Sequence, residues 1–149
     1  MTSTVFVDSS VLFAAISSST GYARDLVRLA LRGHVVLYAN HYVLREVTAN
    51  LAEKAPATAI FFEQVLREIA WQMVEPSAEE VLAAAVYTVL KDAPVVAAAK
   101  KAGCDYLVTY DRKHLLNPPE VAQRSGLTIV TPDVVVLAVQ ADNSELDPT

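Results

Sequence analysis

Cysteine is almost missing from this chain. A single one, Cys104, stands in 149 residues, which excludes an internal disulfide and a cysteine-ligated zinc site. Its setting, "KKAGCDYLV", suits a small buried filler. Glycine is scarce as well, with four in all. Neither GxGxxG nor a phosphate-binding P-loop is present, so a nucleotide cofactor is not expected. His34, His41 and His114 lack zinc-ligand spacing, no HExxH occurs, and surface or cap roles suit them. No Ser-His-Asp or Cys-His pair has a supporting context. Hydrophobic residues reach 53% and mean hydropathy is +0.31, yet charges interrupt every apolar run before the roughly 18 to 20 residues of a membrane span. The start leads straight into a strand-like segment, without the basic region, apolar block and cleavage site of a leader peptide. A cytoplasmic protein with no membrane association is the expectation.

The net charge is −5. That argues against a general nucleic-acid coat, whose affinity rests on neutralising phosphates. It leaves a nuclease open, because clustered active-site acids lower the net charge and bound cations restore part of it.

Strand-like and helix-like segments alternate along the whole chain. "TVFVD" (4–8), "HVVLYA" (34–39), a short piece near 73–75, "DYLVTYD" (105–111) and "LTIV" (127–130) read as strands. Helices are expected at 22–32 with Gly33 as stop, at 41–54, and from Pro56 to about residue 70. A further one spans "PSAEEVLAAAVYTVL", opened by a Ser77–Glu80 capping box. Asp92 opens another, with Pro94 in its first turn and Gly103 near its end, and "TPDVVVLAVQA" closes the series, capped by Thr131. This is the pattern of an α/β fold with a mostly parallel sheet, an α/β/α sandwich. Repeats and linkers are absent. One domain over 1–141 is expected, with 142–149, "DNSELDPT" after Ala141, as a loose tail.

Four carboxylates stand out by position. Asp8 and Asp111 come where apolar strands run out, while Glu46 and Asp92 lie in or at the start of helices. Acids gathered at the carboxyl ends of parallel strands repel one another, and a cation such as Mg²⁺ usually holds them together. In such sheets ligands sit where the strand order reverses, so Asp8 and Asp111 would meet there if the first and fourth strands are neighbours. Each acid also has a plainer reading. Asp8 and Asp92 are natural helix caps, Glu46 borders the stripe of Val43 and Val47, and Asp111 could be a turn residue paired with Arg112 or Lys113.

Taken together, "VFVDSSVL", "YVLREV", "LKDAPVVAAAKKAGCDYLVTYD" and "TPDVVVLA" resemble the PIN domain, the nuclease fold of VapC-type toxins and many RNA-processing factors, and most of all its putative-toxin branch. The resemblance spans nearly the whole chain. It implies a five-stranded sheet in the order 3-2-1-4-5, and it implies that Asp8, Glu46, Asp92 and Asp111 are the catalytic, metal-binding acids. Ser10 and Thr109 match the small hydroxyl positions whose hydrogen bonds orient the carboxylates; helix capping and β-propensity are their plain alternatives. Many family toxins carry a further acid just after the fourth. Here the segment reads "DRKHLL", and His114 is the residue that could take that place.

The implied chemistry is hydrolysis of RNA phosphodiesters with one or two Mg²⁺ or Mn²⁺ ions. One ion acidifies a water, and a second, ~4 Å away, stabilises the leaving oxygen. Arg112 and Lys113, beside Asp111, are candidates to hold a substrate phosphate. Arg24 and Arg28, with Arg32, form a stripe that is either a solvated helix face or an RNA track. An antitoxin protein is the implied partner. A homodimer is expected too, with Phe61 and Phe62 as candidates for its surface unless they fill the core. The competing function is a non-catalytic PIN-like module that acts through protein or RNA association.

Overall fold

The computed structural model describes residues 2–146, and the side chains of 144–146 are left aside. Five parallel strands form one sheet: β1 (Ser3–Val7), β2 (Val35–Ala39), β3 (Gln72–Met73), β4 (Tyr106–Val108) and β5 (Ile129–Val130). Their order is β3-β2-β1-β4-β5, as the resemblance implied. Successive residues Val5, Phe6 and Val7 are all buried. Neighbouring side chains on a strand point to opposite faces, so both faces of the central strand are covered. That is why β1 reads as a continuous apolar run rather than an alternating one.

Eight helices surround the sheet among the described residues: α1 (Ser9–Ser17), α2 (Tyr22–Leu31), α3 (His41–Lys54), α4 (Ala59–Glu68), α5 (Ala78–Ala84), α6 (Ala93–Ala102), α7 (Pro119–Ser125) and α8 (Pro132–Leu146). Several starts are chemically specified. Asn40 caps α3 by accepting from the Val43 N–H at 2.9 Å and donates to the Pro94 carbonyl at 3.2 Å, tying α3 to the start of α6. The Ser77–Glu80 capping box is present at α5. Gly103, at φ 65°, closes α6 in the left-handed region that glycine enters without strain.

Some boundaries differ from expectation. The helix expected from Pro56 begins as a 3₁₀ turn over Pro56–Thr58, where proline supplies the fixed φ of a first turn. The helix expected through Leu90 stops at Ala84. The β-branched Val86, Thr88 and Val89 that follow have weak helical preference, and the chain turns there toward Asp92. At the carboxyl end α8 continues through Leu146, so the segment 142–146 has helical backbone. Residues 147–149 lie outside the described residues. Thr131 gives its hydroxyl to the Asp133 carboxylate.

The register places the site. Val7 of β1 pairs with Val108 of β4, so Asp8 emerges opposite Thr109. Between these two strands the chain order reverses, with β2 on the other side of β1. At the opposite end of the pair, Thr4 and Asp105 exchange two hydrogen bonds of 2.8 and 2.9 Å, which fixes the alignment.

Candidate active site

Asp8 holds the N-cap position of α1 but makes no side-chain cap. Its Oδ2 accepts instead from Thr109 Oγ1 at 2.7 Å and Ser10 Oγ at 3.0 Å. Those hydroxyls also accept the backbone N–H groups of Asp111 (3.0 Å) and Tyr110 (3.1 Å). Asp8, Ser10 and the start of the Asp111 loop are therefore one hydrogen-bonded unit, and the orienting geometry expected of Ser10 and Thr109 is present.

Asp92 is 7% exposed and is likewise no side-chain cap for α6. Its Oδ2 is buried without a hydrogen-bond partner among the described residues. Burial, with the charges of Asp111 and Asp8 adding to it, pushes its carboxyl up to about 6 against the partial relief from Lys91. An orphaned carboxylate oxygen in that condition is costly unless a cation or proton completes it.

Asp111 does serve as a cap. Its Oδ1 accepts from the His114 N–H at 3.0 Å, at the head of a single π-helical turn over Arg112–Leu116. Leu116 bonds back to Asp111 and Asn117 to Arg112, each five residues behind. Such wide turns recur at functional sites. This one brings His114 Nδ1 to 3.2 Å from Asp111 Oδ2 and 3.9 Å from Asp92 Oδ2. Burial would raise Asp111, but the His114 N–H and ring together with Lys91 outweigh it and hold the carboxyl below its ordinary value.

Glu46 is half-buried on α3, on the border of the apolar stripe as its spacing indicated. Burial first, and then the Asp8 charge, raises its carboxyl, offset in part by the Tyr42 hydroxyl, Lys91 and Ser9. The four acids thus form one electrostatic group through Asp8, which acts on both Glu46 and Asp92.

Lys91 was not singled out by its sequence context. Its Nζ lies 3.4 Å from Asp92 Oδ1 and 3.5 Å from Asp111 Oδ2, on a side chain that is 60% exposed. Burial would lower the ammonium's pKa, yet the two carboxylates raise it overall. A lysine before a helix start gives no sign in one dimension that it will bridge its neighbour Asp92 to the distant Asp111. The tightest ligand set, with donor atoms within 4.8 Å of one another, is Asp92, Asp111 and His114. Asp8 and Glu46 border this set rather than belong to it.

Of the expected substrate residues, Arg112 and Lys113 are exposed next to Asp111. Arg24 and Arg28 are not brought to the acids. The Arg24 guanidinium donates to the Ala15 and Ile16 carbonyls at the far end of α1 and lies 4.3 Å over the Phe61 ring. Arg28 pairs with Asp25 and donates to the Ser19 carbonyl. Phe62 is buried in the core, the plainer of its two readings, and Phe61 lies partly buried beneath Arg24. Cys104 is buried, and that burial pushes its thiol up to about 12, an inert filler as its context suggested.

A PIN domain family model matches residues 4–113, a span that contains all four acids. The chain belongs to the PIN domain family. PIN domains are in general nucleases. Among solved structures, PAE2754 from Pyrobaculum aerophilum is similar at 21% identity over 93% of this chain and 90% of that one, with a TM-score of 0.66. VapC20 from Mycobacterium tuberculosis, a toxin that cleaves the sarcin-ricin loop, is similar at 18% identity over 73% of this chain and 91% of its own, with a TM-score of 0.55. At these identities the likeness is one of fold. No curated protein matches the sequence. No helix among the described residues is long and apolar enough to cross a membrane.

Proposed function

We propose that this PIN domain is a Mg²⁺- or Mn²⁺-dependent endoribonuclease acting as the toxin of a type II toxin–antitoxin pair. The observation that carries the reading is the buried, unpartnered Oδ2 of Asp92, set within 4.8 Å of donor atoms from Asp111 and His114. Carboxylate oxygens are the donors that hard divalent cations prefer, and an imidazole is compatible with Mn²⁺. Asp92 and Asp111 would hold the ion, with His114, Asp8 and Glu46 completing its surroundings directly or through water.

When bound, such an ion acidifies water and draws charge from a phosphodiester. The chain's own groups have separable tasks. Thr109 and Ser10 hold Asp8 in one orientation. The His114 N–H and ring fix the Asp111 carboxylate. Lys91 neutralises Asp92 and Asp111 in the metal-free protein, and Arg112 and Lys113 supply exposed cationic charge where an RNA phosphate would approach. The toxin reading takes its support from the family and from the VapC20 fold, and it carries a partner antitoxin. Exposed Ile60 and Leu82 offer apolar area to that partner or to a second copy in a homodimer.

Incubating the purified protein with single-stranded and structured RNAs in Mn²⁺, Mg²⁺ or EDTA, beside Asp8→Asn, tests the proposal. Cleavage that requires metal and is lost in Asp8→Asn is expected. Cleavage that persists in EDTA or in the variant would overturn it.

A further inference from the structure

A cavity of about 320 Å³ opens beside the acids, lined in part by Tyr87, Thr88, Val89, Lys113, His114 and Val121. It is built by the turn that ends α5 early and by the π-helical turn before α7. Three features mark it as more than a surface dent. Its wall is shared with the acid cluster, because His114 belongs to both. The lining is about half apolar, with Val86, Val89 and Val121 set beside Lys113, His114 and Glu120. Thr88 carries a hydroxyl with no hydrogen-bond partner among the described residues, and Lys113 is exposed at the cavity with its ammonium in no described hydrogen bond or ion pair.

We propose that this cavity is a base subsite, which takes one unstacked nucleobase of single-stranded RNA next to the phosphate that lies at the carboxylates. The inference rests on the ribonuclease reading and deepens it. Single-stranded RNA is recognised by splaying a base out against flat or apolar side chains and bonding its edge to a few polar groups. Val89 and Val121 supply the apolar walls. The Thr88 hydroxyl is buried without a partner among the described residues, and a turn of its side chain would let it donate to or accept from a base edge. Lys113 lines the cavity and is exposed, a cation for the adjoining phosphate. His114 belongs both to the acid cluster and to the cavity wall, so a nucleotide whose phosphate sits at Asp92 and Asp111 has the cavity beside it. The volume, at the lower end for ligand sites, suits a base better than a larger ligand.

The test uses the full chain with Mn²⁺ on a short cleavable RNA and on the same RNA with an abasic residue at each position flanking the cut. Bis(p-nitrophenyl) phosphate, a phosphodiester without a base, is given to the wild type as a separate check on phosphodiester chemistry. Val89→Trp, which fills the cavity from its edge, is expected to lower kcat/KM on the intact RNA by roughly tenfold, mostly through KM. That penalty should vanish on one of the abasic substrates, and Thr88→Val should shift base preference at the same position. No penalty, or a penalty of equal size on every abasic RNA, would overturn the subsite. A wild type that hydrolyses neither RNA nor bis(p-nitrophenyl) phosphate overturns the nuclease reading instead. The subsite is then read by fluorescence anisotropy of the labelled RNA, where weaker binding to Val89→Trp supports it and unchanged binding overturns it.

Discussion

Asp92 shows how one residue trades stability for a site. Its carboxyl is raised to about 6, mainly by burial, while an unfolded chain releases that proton near pH 4. Between those values the folded protein holds a proton that the unfolded chain has lost, so metal-free stability falls as pH climbs from about 4 to about 6. Asp92→Asn removes the buried charge and should stabilise the metal-free protein at pH 7 by about 1–3 kcal/mol. Urea unfolding in EDTA at pH 4.5 and pH 7 checks both the sign and the window; a variant less stable than wild type at pH 7 would contradict the assignment. Asp111 runs the other way, since its lowered carboxyl contributes stability at neutral pH that is lost on acidification. The four acids were legible because each stands at a strand end or helix margin in a recognisable context. Lys91 was not, because only the fold brings it to both Asp92 and Asp111.

Among the elements, Asn40 is the joint with the most work per atom. It is 1% exposed, caps α3, which carries Glu46, and bonds to Pro94 beside Asp92. Asn40→Ala should cost about 1–2 kcal/mol of stability, measured by thermal or urea unfolding, and a neutral result would remove it as the link between α3 and α6. Helices with a one-sided apolar stripe, α2 and α3, were legible from their period. Others escaped. The run Val11–Ile16 in α1 is apolar throughout, although Val11, Leu12, Ala15 and Ile16 are its buried residues, so the sequence has no polar face to reveal a period. α7 follows Pro118, opens on Pro119 and is only seven residues long. The π-helical turn has no sequence period of its own, and it is this turn that lets His114 reach both Asp111 and Asp92. The partners of Arg24 were hidden for a related reason: spacing identified the stripe but not the α1 carbonyls opposite it.

For the molecule as a whole, the reversal of strand order between β1 and β4 is the organising fact. It leaves a crevice outside two adjacent strand ends, and the chain fills it with Asp8 from one strand and Asp111 from the other, with Asp92 and Glu46 leaning in from helices. Strand–helix alternation made the α/β class legible, and the order 3-2-1-4-5 came from family resemblance, since periodicity carries no information about which strands are neighbours. Lys91 brings one exposed positive charge to a group of four acids, and a bound divalent cation is the proposal that accounts for the rest. The measurement that tests this most directly is a calorimetric titration of the metal-free protein with Mn²⁺, run beside Asp92→Asn and Lys91→Met. Wild type should bind Mn²⁺, Asp92→Asn should lose at least about tenfold in affinity, and Lys91→Met should bind more tightly because the competing ammonium is gone. A wild type that binds no Mn²⁺, or an Asp92→Asn protein that binds as well as wild type, would contradict the account.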